Sequence, residues 1–490
     1  MSASGKVLVV GAGVAGLSAA LALAKAGFAV EVLERRPYVG GRASSYPHPA
    51  LGEVVDCQHV LLGCCTNLIH LYRQSGAADA IRWYDELTFL ERNRRKRNRP
   101  EQNRPDQEKL DQEKLEGGGR ASRIAPGGLP APFHSTMSFL RAPMLGLQDK
   151  LGIARGLLGF LRGLPPDSAG ESVASWLRRS GQTERSIRHF WEPVIVGALN
   201  DSFDRCSLHY AAQVFRESFL KSAQGGRLGI PALPLSELYS AAANAIEVLG
   251  GAIHARASVA SIARCSDGRW SVRTATEEYA ADAVVLALPF EQAAALMKTL
   301  PAVEGSAGLL EAADSFVHSP ITTVQLWFDR EVTRLHHAVL LDTTIQWMFN
   351  KGLIRGGAAG SPSYLELTIS ASKAQLKMGR EEILADALRE LALFFPEVGK
   401  AKVLKSAILK EARATFSVLP GMDAIRPVAE SPWPGIFLAG DWAATGWPST
   451  MEGAARSGFL AAEAVAASFG AQQSFLQADL PPAGLMRLFQ

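Results

Sequence analysis

A glycine triplet near the N-terminus places a strong constraint on how this chain folds. Gly11, Gly13 and Gly16 stand between an apolar run at 6–10 and an Ala/Leu-rich stretch at 14–26, which predict a buried strand and a helix. Gly11 permits a tight turn, Gly13 allows the backbone to approach a pyrophosphate, and Gly16 allows the helix to pack closely on the strand. Because a helix N-terminus attracts phosphate, the pattern predicts nucleotide binding.

The residues that follow extend the predicted nucleotide site. A second strand is predicted at 29–33 and ends at Glu34, 18 residues after Gly16, where a carboxylate accepts from a ribose hydroxyl. The run that begins with Glu34 and Arg35 continues to a second glycine pair. Its predicted cofactor residues are Glu34, Arg35, Gly40, Gly41 and Arg42. The glycines bring backbone N–H groups near a dinucleotide, and Arg42 neutralises phosphate charge.

A second glycine-rich block lies near the end of the chain. The apolar run 435–439 predicts a strand that ends at Gly440 and Asp441, and a helix is predicted from 449 to 468. Asp441 at the end of the strand can accept from a ribitol hydroxyl, and the helix start near Thr450, Met451 and Glu452 can present amides to a flavin ring. This block therefore favours a flavin dinucleotide, FAD.

Composition excludes several classes of protein. Lys plus Arg number 51 against 48 for Asp plus Glu, so the net charge of +3 gives no basic surface for nucleic acid. The five cysteines are an odd number without a C-x-x-C pair, which argues against a disulfide framework and against a zinc site, and no metal is predicted. With neither a signal peptide nor about 18 consecutive apolar residues, a cytoplasmic protein is expected, at most peripheral on a membrane.

Two segments stand outside the nucleotide pattern. Residues 91–116 contain nine basic and seven acidic residues among 26, with DQEKL repeated, and predict a flexible insertion that ends in the glycines at 117–119. Between 138 and 165, Leu147, Leu151, Leu158 and Leu161 recur at helical spacing among basic residues. This amphipathic helix either packs on a domain core or lies against anionic lipid.

Together, the motifs resemble the flavin amine oxidase and phytoene desaturase superfamily over nearly the whole chain. The resemblance implies an α/β fold in which a doubly wound, Rossmann-like FAD-binding domain is interleaved with an α+β substrate domain. The implied FAD-binding segments are 1–80, 225–300 and 405–470, the substrate segments are 81–224 and 301–404, the insertion is 91–119 and the tail is 471–490. It also implies that the backbone around Val259 contacts the adenine.

A closer resemblance rests on the segment from Asp56 to Leu68, DCQHVLLGCCTNL. Its His, Gly and Asn spacing matches a phytoene desaturase motif, but Cys65 replaces the tyrosine. Together with Thr445-Gly446-Trp447-Pro448, the segment is similar instead to the hydroxysqualene dehydroxylase family of bacterial hopanoid synthesis. That resemblance implies hydride transfer from reduced FAD to hydroxysqualene, with His59 and Asp56 as candidate proton donors.

The expected partners follow from this chemistry. A C30 isoprenoid such as hydroxysqualene or squalene needs an elongated apolar tunnel, and a mouth that faces lipid would spare it a passage through water. Twelve aromatic and aliphatic side chains are predicted as lining: Trp83, Tyr84, Phe139, Leu157, Phe160, Phe190, Trp191, Phe215, Phe219, Trp327, Trp347 and Phe349. Cys57, Cys64 and Cys65 are predicted to be small buried side chains and not redox thiols. A carotenoid desaturase and a non-catalytic prenyl carrier remain alternatives, and the oligomeric state is open.

Overall fold

The computed structural model describes residues 5–92 and 119–489. The predicted insertion at 91–119 therefore lies outside the described residues, apart from its first two residues and its last. The strands of the described residues are β1 Lys6–Val10, β2 Ala29–Glu34, β3 Ser45–Pro47, β4 Val54–Asp56, β5 Leu61–Leu62, β6 Ile81–Tyr84, β7 Leu87–Arg92, β8 Gly119–Ile124, β9 Leu228–Pro231, β10 Ala252–Ala255, β11 Val259–Arg264, β12 Trp270–Thr274, β13 Glu278–Ala281, β14 Ala283–Leu286, β15 His318–Phe328, β16 His337–Leu340, β17 Trp347–Asn350, β18 Tyr364–Ser370, β19 Val403–Phe416 and β20 Ile436–Leu438.

Helices cover the sheets and supply most of the connections. The α-helices of the described residues are α1 Val14–Lys25, α2 Thr66–Gln74, α3 Thr136–Arg141, α4 Leu147–Leu158, α5 Val173–Arg179, α6 Glu184–Ser186, α7 Glu192–Leu199, α8 Leu208–Phe215, α9 Leu235–Val248, α10 Phe290–Met297, α11 Ser306–Ser315, α12 Lys351–Ile354, α13 Arg380–Ala392 and α14 Met451–Ser468. Two π-helical turns, at Ile187–Trp191 and Arg216–Leu220, continue α6 and α8. In the described part of the chain, none of these helices has the length and apolar character needed to cross a membrane.

One half of the molecule is built on a five-stranded parallel sheet. Its strand order is β10-β2-β1-β14-β20, so it collects strands from the beginning, middle and end of the chain. The strand β1 is a continuous apolar run because both faces of this sheet are covered, and Val7, Leu8 and Val9 are fully buried. The helices α1 and α14 pack on each other along one face. The predicted doubly wound, interleaved fold is confirmed.

The second half is built on a seven-stranded mixed sheet. Its order is β19-β15-β18-β17-β16-β7-β8, and every neighbouring pair is antiparallel except β16 and β7. The predicted boundary at 404 falls inside this sheet, since β19 pairs with β15 as far as Phe416. In the structure, β19 belongs to the mixed sheet as far as Phe416.

Two predicted elements have different bounds in the structure. The predicted strand over 253–262 is divided at Arg256, where a positive φ of 62° turns the chain from the parallel sheet into the three-stranded sheet β11-β12-β13. The predicted amphipathic helix within 138–165 is α4 alone, preceded by the short helix α3. The predicted tail from 471 packs back on the molecule, with the Gln477 amide donating to Asn67 Oδ1 over 2.8 Å.

Candidate active site

The first glycine turn follows β1 and is so tight that a side chain does not fit at Gly11 or Gly16. Gly11 has a φ of +104°, and a Cβ on it would lie 2.5 Å from the carbonyl oxygen of Ala287. A Cβ on Gly16 would lie 1.9 Å from the Gly11 carbonyl oxygen, which fits the predicted role of Gly16 in close helix packing. The turn thus presents bare backbone and the N-terminus of α1, with no acidic residue in its first turn. This is the arrangement that binds a pyrophosphate.

The second glycine turn, at Gly40 and Gly41, contacts the backbone of the first. The Gly40 amide donates to the Ala12 carbonyl over 2.8 Å, and a Cβ on Gly41 would lie 3.0 Å from Gly13 Cα. The buried carboxylate of Glu34 ties this corner together, because it accepts from the amides of Ala12 and Arg36, each over 2.8 Å. A carboxylate has about four acceptor positions, so Glu34 retains capacity for a ribose hydroxyl.

Two predicted cofactor residues from opposite ends of the chain form an ion pair. The guanidinium of Arg42 contacts the carboxylate of Asp441, whose other oxygen accepts from Ser449 Oγ over 2.6 Å. Burial alone would raise the pKa of Asp441, but the charge and hydrogen bond of Arg42 outweigh it, and this pKa lies below its usual value. Asp441 is therefore ionised, and Arg42 is held against it and not free to act as a phosphate ligand alone.

The start of α14 completes the cofactor side of the site. Thr450 caps this helix, with its Oγ1 accepting from the Gly453 amide over 3.1 Å. The amides of Met451 and Glu452 belong to the first turn of α14 and have no acceptor within the helix. The Glu452 side chain serves the structure, because it accepts from the amides of Asn67 and Leu68 at the start of α2.

These pieces line one cavity of about 1020 Å³. Fifteen of the sixteen predicted site residues contribute to its wall: Gly11, Gly13, Glu34, Arg35, Gly40, Gly41, Arg42, Asp56, His59, Val259, Gly440, Asp441, Thr450, Met451 and Glu452. The exception is Gly16, which lies behind the turn and shapes it. Because the side-chain-free glycine turns, an acidic ribose acceptor and an unpaired helix start face the same space, the residues present fit FAD.

His59 lies on the cavity wall with a defined tautomer. Its Nδ1 is 2.7 Å from the Cys57 carbonyl, which can only accept, so Nδ1 carries the proton and Nε2 is left as an acceptor. Burial lowers the pKa of His59, although the Cys57 carbonyl and Asp56 oppose the shift. The neutral imidazole is thus favoured. Beside it, the buried Gln58 Oε1 has no hydrogen-bond partner among the described residues.

Asp56 has a different role from the predicted proton donor. Its carboxylate is buried and ion-paired with Lys351 and Arg355, and Lys351 Nζ also contacts Glu366 Oε2 at 2.9 Å. Burial would raise the pKa of Asp56, but the charges of Lys351 and Arg355 outweigh it and the net shift is downward. A carboxylate held ionised does not fit proton donation, so the geometry leaves His59 as the candidate and makes Asp56 a structural anchor.

The charged trio Asp56, Lys351 and Glu366 fixes the chain segment that carries His59. Glu366 accepts from the Gln58 amide, and Gln325 Nε2 donates to the Asp56 carbonyl. Sequence reasoning missed this trio. The available signal was Glu366 itself, an acid within the otherwise apolar and hydroxylated strand β18, but its partners lie far away along the chain.

The three cysteines predicted to be small buried side chains lie on the cavity wall. Cys57, Cys64 and Cys65 all line the cavity, and each is a free thiol. Burial raises the pKa of Cys57 to about 12, and the hydrogen bond with Cys64, with burial, raises the pKa of Cys65. Since the thiolate is the reactive form, Cys57 and Cys65 fit the predicted packing role.

Most of the predicted aromatic lining lies outside the cavity wall. Of the twelve side chains, Phe219, Trp347 and Phe349 reach the cavity. Phe190, Trp191 and Phe215 are buried and pack against one another with ring centroids 4.7–5.5 Å apart, Phe190 and Phe215 stacked and Trp191 edge-to-face with both. In their place, small and aliphatic residues line this part of the wall: Leu87, Val194, Gly197, Ala198 and Val214.

Comparison with known proteins places this geometry in a family. The model of the family described as flavin containing amine oxidoreductase matches residues 14–466. The chain belongs to this flavin-containing amine oxidoreductase family. It is an FAD-dependent oxidoreductase, as predicted, and FAD is its cofactor. The alternative of a non-catalytic carrier is therefore set aside.

This flavoenzyme is similar in sequence to carotenoid desaturases. It is 26% identical over 476 residues to the 15-cis-phytoene desaturase of Glycine max, covering 94% of this chain and 79% of the relative. It is also 26% identical over 501 residues to a probable zeta-carotene desaturase of Synechococcus elongatus, covering 94% and 98%.

Solved structures agree on the fold. Cyclohexylamine oxidase from Brevibacterium oxydans matches with a TM-score of 0.64 at 18% identity, covering 95% of this chain and 99% of that one. An oxidoreductase from Methanosarcina mazei matches with a TM-score of 0.68 at 20% identity, covering 92% and 98%.

Proposed function

We propose that this flavoenzyme reductively dehydroxylates hydroxysqualene to squalene. In this reaction a C–O bond breaks and a C–H bond forms at the same carbon, and the oxygen takes up a proton and leaves as water. The substrate is reduced by two electrons. Bound reduced FAD supplies the hydride, so the chain itself must bind the polyprene, position its hydroxyl and provide the proton.

The observation that carries the proposal is that His59, with a free Nε2, lines the same cavity as the FAD-binding turns, and that aliphatic and aromatic side chains line this cavity as well. The aliphatic and aromatic lining suits a hydrocarbon chain, whose binding energy comes from buried apolar area. A single hydroxyl needs a polar partner there. His59 Nε2 is an acceptor for its proton, and the protonated imidazole is a donor to its oxygen. The similarity of the segment 56–68 to hydroxysqualene dehydroxylases supports the same substrate.

The second candidate is desaturation of a carotenoid-type polyene, which oxidises its substrate. The named desaturase relatives favour it. The state of His59 favours it too, because a neutral imidazole with a free Nε2 is ready to take a proton. The two candidates use the same cavity and differ in the direction of electron flow.

An anaerobic experiment separates the candidates. The holoenzyme is reduced with one equivalent of dithionite and mixed with hydroxysqualene while the visible flavin absorbance is followed, and the product is identified by mass spectrometry. Dehydroxylation predicts that the oxidised flavin spectrum returns with one squalene formed per flavin. Squalene, which lacks the hydroxyl, is the matched control and must leave the flavin reduced.

The opposite mixture tests the alternative. Oxidised holoenzyme is mixed anaerobically with phytoene. If phytoene bleaches the flavin and hydroxysqualene fails to reoxidise it, the dehydroxylase proposal is overturned and desaturation replaces it. If neither substrate changes the flavin, both proposals fail.

A further inference from the structure

One face of the molecule exposes an unusual amount of apolar surface. Nine of the eighteen large apolar side chains that are exposed in the described residues fall in three short segments. We call this set the leucine face, and its members are Leu129, Phe133, Met137, Leu140, Leu147, Leu151, Leu158, Leu485 and Leu488. Clusters of this size on a folded protein mark a contact surface, in contrast to scattered single residues.

The three segments lie against one another in the folded chain. Hydrogen bonds join them from side chain to backbone and from backbone to backbone. These bonds are Lys150 Nζ to Leu140 O at 2.6 Å, Leu485 N to Ala131 O at 2.8 Å, Arg216 Nη1 to Phe160 O at 2.7 Å and Arg216 Nη2 to Phe489 O at 3.2 Å. These bonds place the three segments next to one another, although they are far apart in the sequence.

The helix α4 forms the centre of this face and is oriented opposite to an ordinary core helix. At about 100° per residue, Leu147, Leu151 and Leu158 fall within roughly 40° of one another. Leu147 is 72% and Leu151 64% exposed, whereas Ile153 on the other side of the helix is fully buried. Packing on a domain core, the first of the two readings of this helix, therefore does not account for its leucines.

Positive charge surrounds the leucine face. Arg141, Arg155, Arg162 and Arg487 are exposed within or next to its three segments. In residues 129–162 and 484–489 the acidic residue is Asp149, which is buried and accepts from the Gly146 amide and Thr183 Oγ1. The described surface of these segments thus combines leucines and arginines without an exposed carboxylate.

We infer that the leucine face rests on an anionic lipid bilayer. Exposed leucines with flanking cations match the interfacial region of a membrane, where apolar side chains enter the acyl boundary and arginines meet the lipid phosphates. A second copy of this chain fits the same face less well, because a two-fold contact uses the same surface on both copies, and these segments offer no exposed carboxylate to pair with the partner's arginines. The inference goes beyond the proposed reaction and does not depend on it, since vesicle binding requires no turnover.

Vesicle sedimentation tests this inference. Holoenzyme is mixed with vesicles of phosphatidylcholine alone or with about 30% phosphatidylglycerol, at about 0.05 M and about 0.5 M NaCl. We expect binding to the anionic vesicles that weakens at the higher salt concentration. The double variant Leu147→Glu/Leu151→Glu should bind at least about tenfold more weakly. Val248→Glu is the matched control, because Val248 is 88% exposed on α9, outside the leucine face, and this variant should bind as the parent does.

Three outcomes would overturn the inference. The first is a failure of the parent protein to sediment with the anionic vesicles at low salt. Equal losses in the leucine variant and in Val248→Glu are the second. The third is a dimer that the leucine variant dissociates in analytical ultracentrifugation while vesicle binding stays unchanged. A normal flavin spectrum in each variant shows that it is folded.

Discussion

At the scale of a single residue, the charge state of His59 distinguishes the two candidate reactions. Its pKa is lowered by burial, so the imidazolium forms only at pH values below the usual range for histidine. If His59 donates the proton to the leaving hydroxyl, the single-turnover rate rises as the pH falls towards this pKa. If His59 takes a proton during desaturation, the rate falls over the same interval.

The measurement is the pH dependence of the flavin absorbance change in a single turnover. His59→Gln should abolish the pH limb that belongs to the imidazole and slow the reaction by about 10²–10⁴-fold. His70→Gln is the control, because the pKa of His70 is also lowered by burial but its side chain lies on α2, outside the cavity wall. A limb that survives in His59→Gln would assign the proton transfer to another group.

At the scale of elements, the trio Asp56, Lys351 and Glu366 joins β4, α12 and β18 beneath the cavity. Lys351→Met would leave two buried carboxylates without their shared cation, and we expect a loss of about 3–5 kcal/mol of stability. Adding Glu366→Gln should recover part of it by removing one charge. Lys400→Met, at an exposed ion pair with Glu397, should change stability by less than about 1 kcal/mol. Urea denaturation of the holoenzymes measures the free energy of unfolding of each variant. An equal loss of stability in Lys351→Met and Lys400→Met would contradict the prediction.

The same elements show what the sequence could predict. The unit β1-α1-β2 is local, and its glycines, apolar runs and Glu34 specify it within a short stretch of chain. The trio could not be predicted, since Asp56 and Lys351 are 295 positions apart and meet only through the pairing of distant strands. The prediction of the aromatic lining was wrong for most of its side chains for a similar reason. Phe190 and Phe215 are apolar whether they face the cavity or the core, and neighbouring elements decide which.

At the scale of the whole molecule, the FAD-binding half is assembled from three separated parts of the chain. The pair Arg42 and Asp441 joins the first part to the last across 399 positions. The motifs at both chain ends predicted that these parts converge, because each is a cofactor-binding turn that is incomplete alone. The position of β19 was not predicted, since the sequence of a strand does not show which sheet it joins.

A cofactor held between distant parts of one chain should stabilise the whole fold. When FAD is removed, we expect the apparent melting temperature to fall. Free FAD at about 100 times its dissociation constant should raise the free energy of unfolding of the apoprotein by about 2.7 kcal/mol. Asp441→Asn removes the charge that holds Arg42 in the cavity wall, so FAD should raise the melting temperature less in this variant. Asp314→Asn, at an exposed pair with Lys298, should keep the full FAD response. A full response in Asp441→Asn would mean that the cofactor is held by the glycine turns without help from the pair that joins the two ends of the chain.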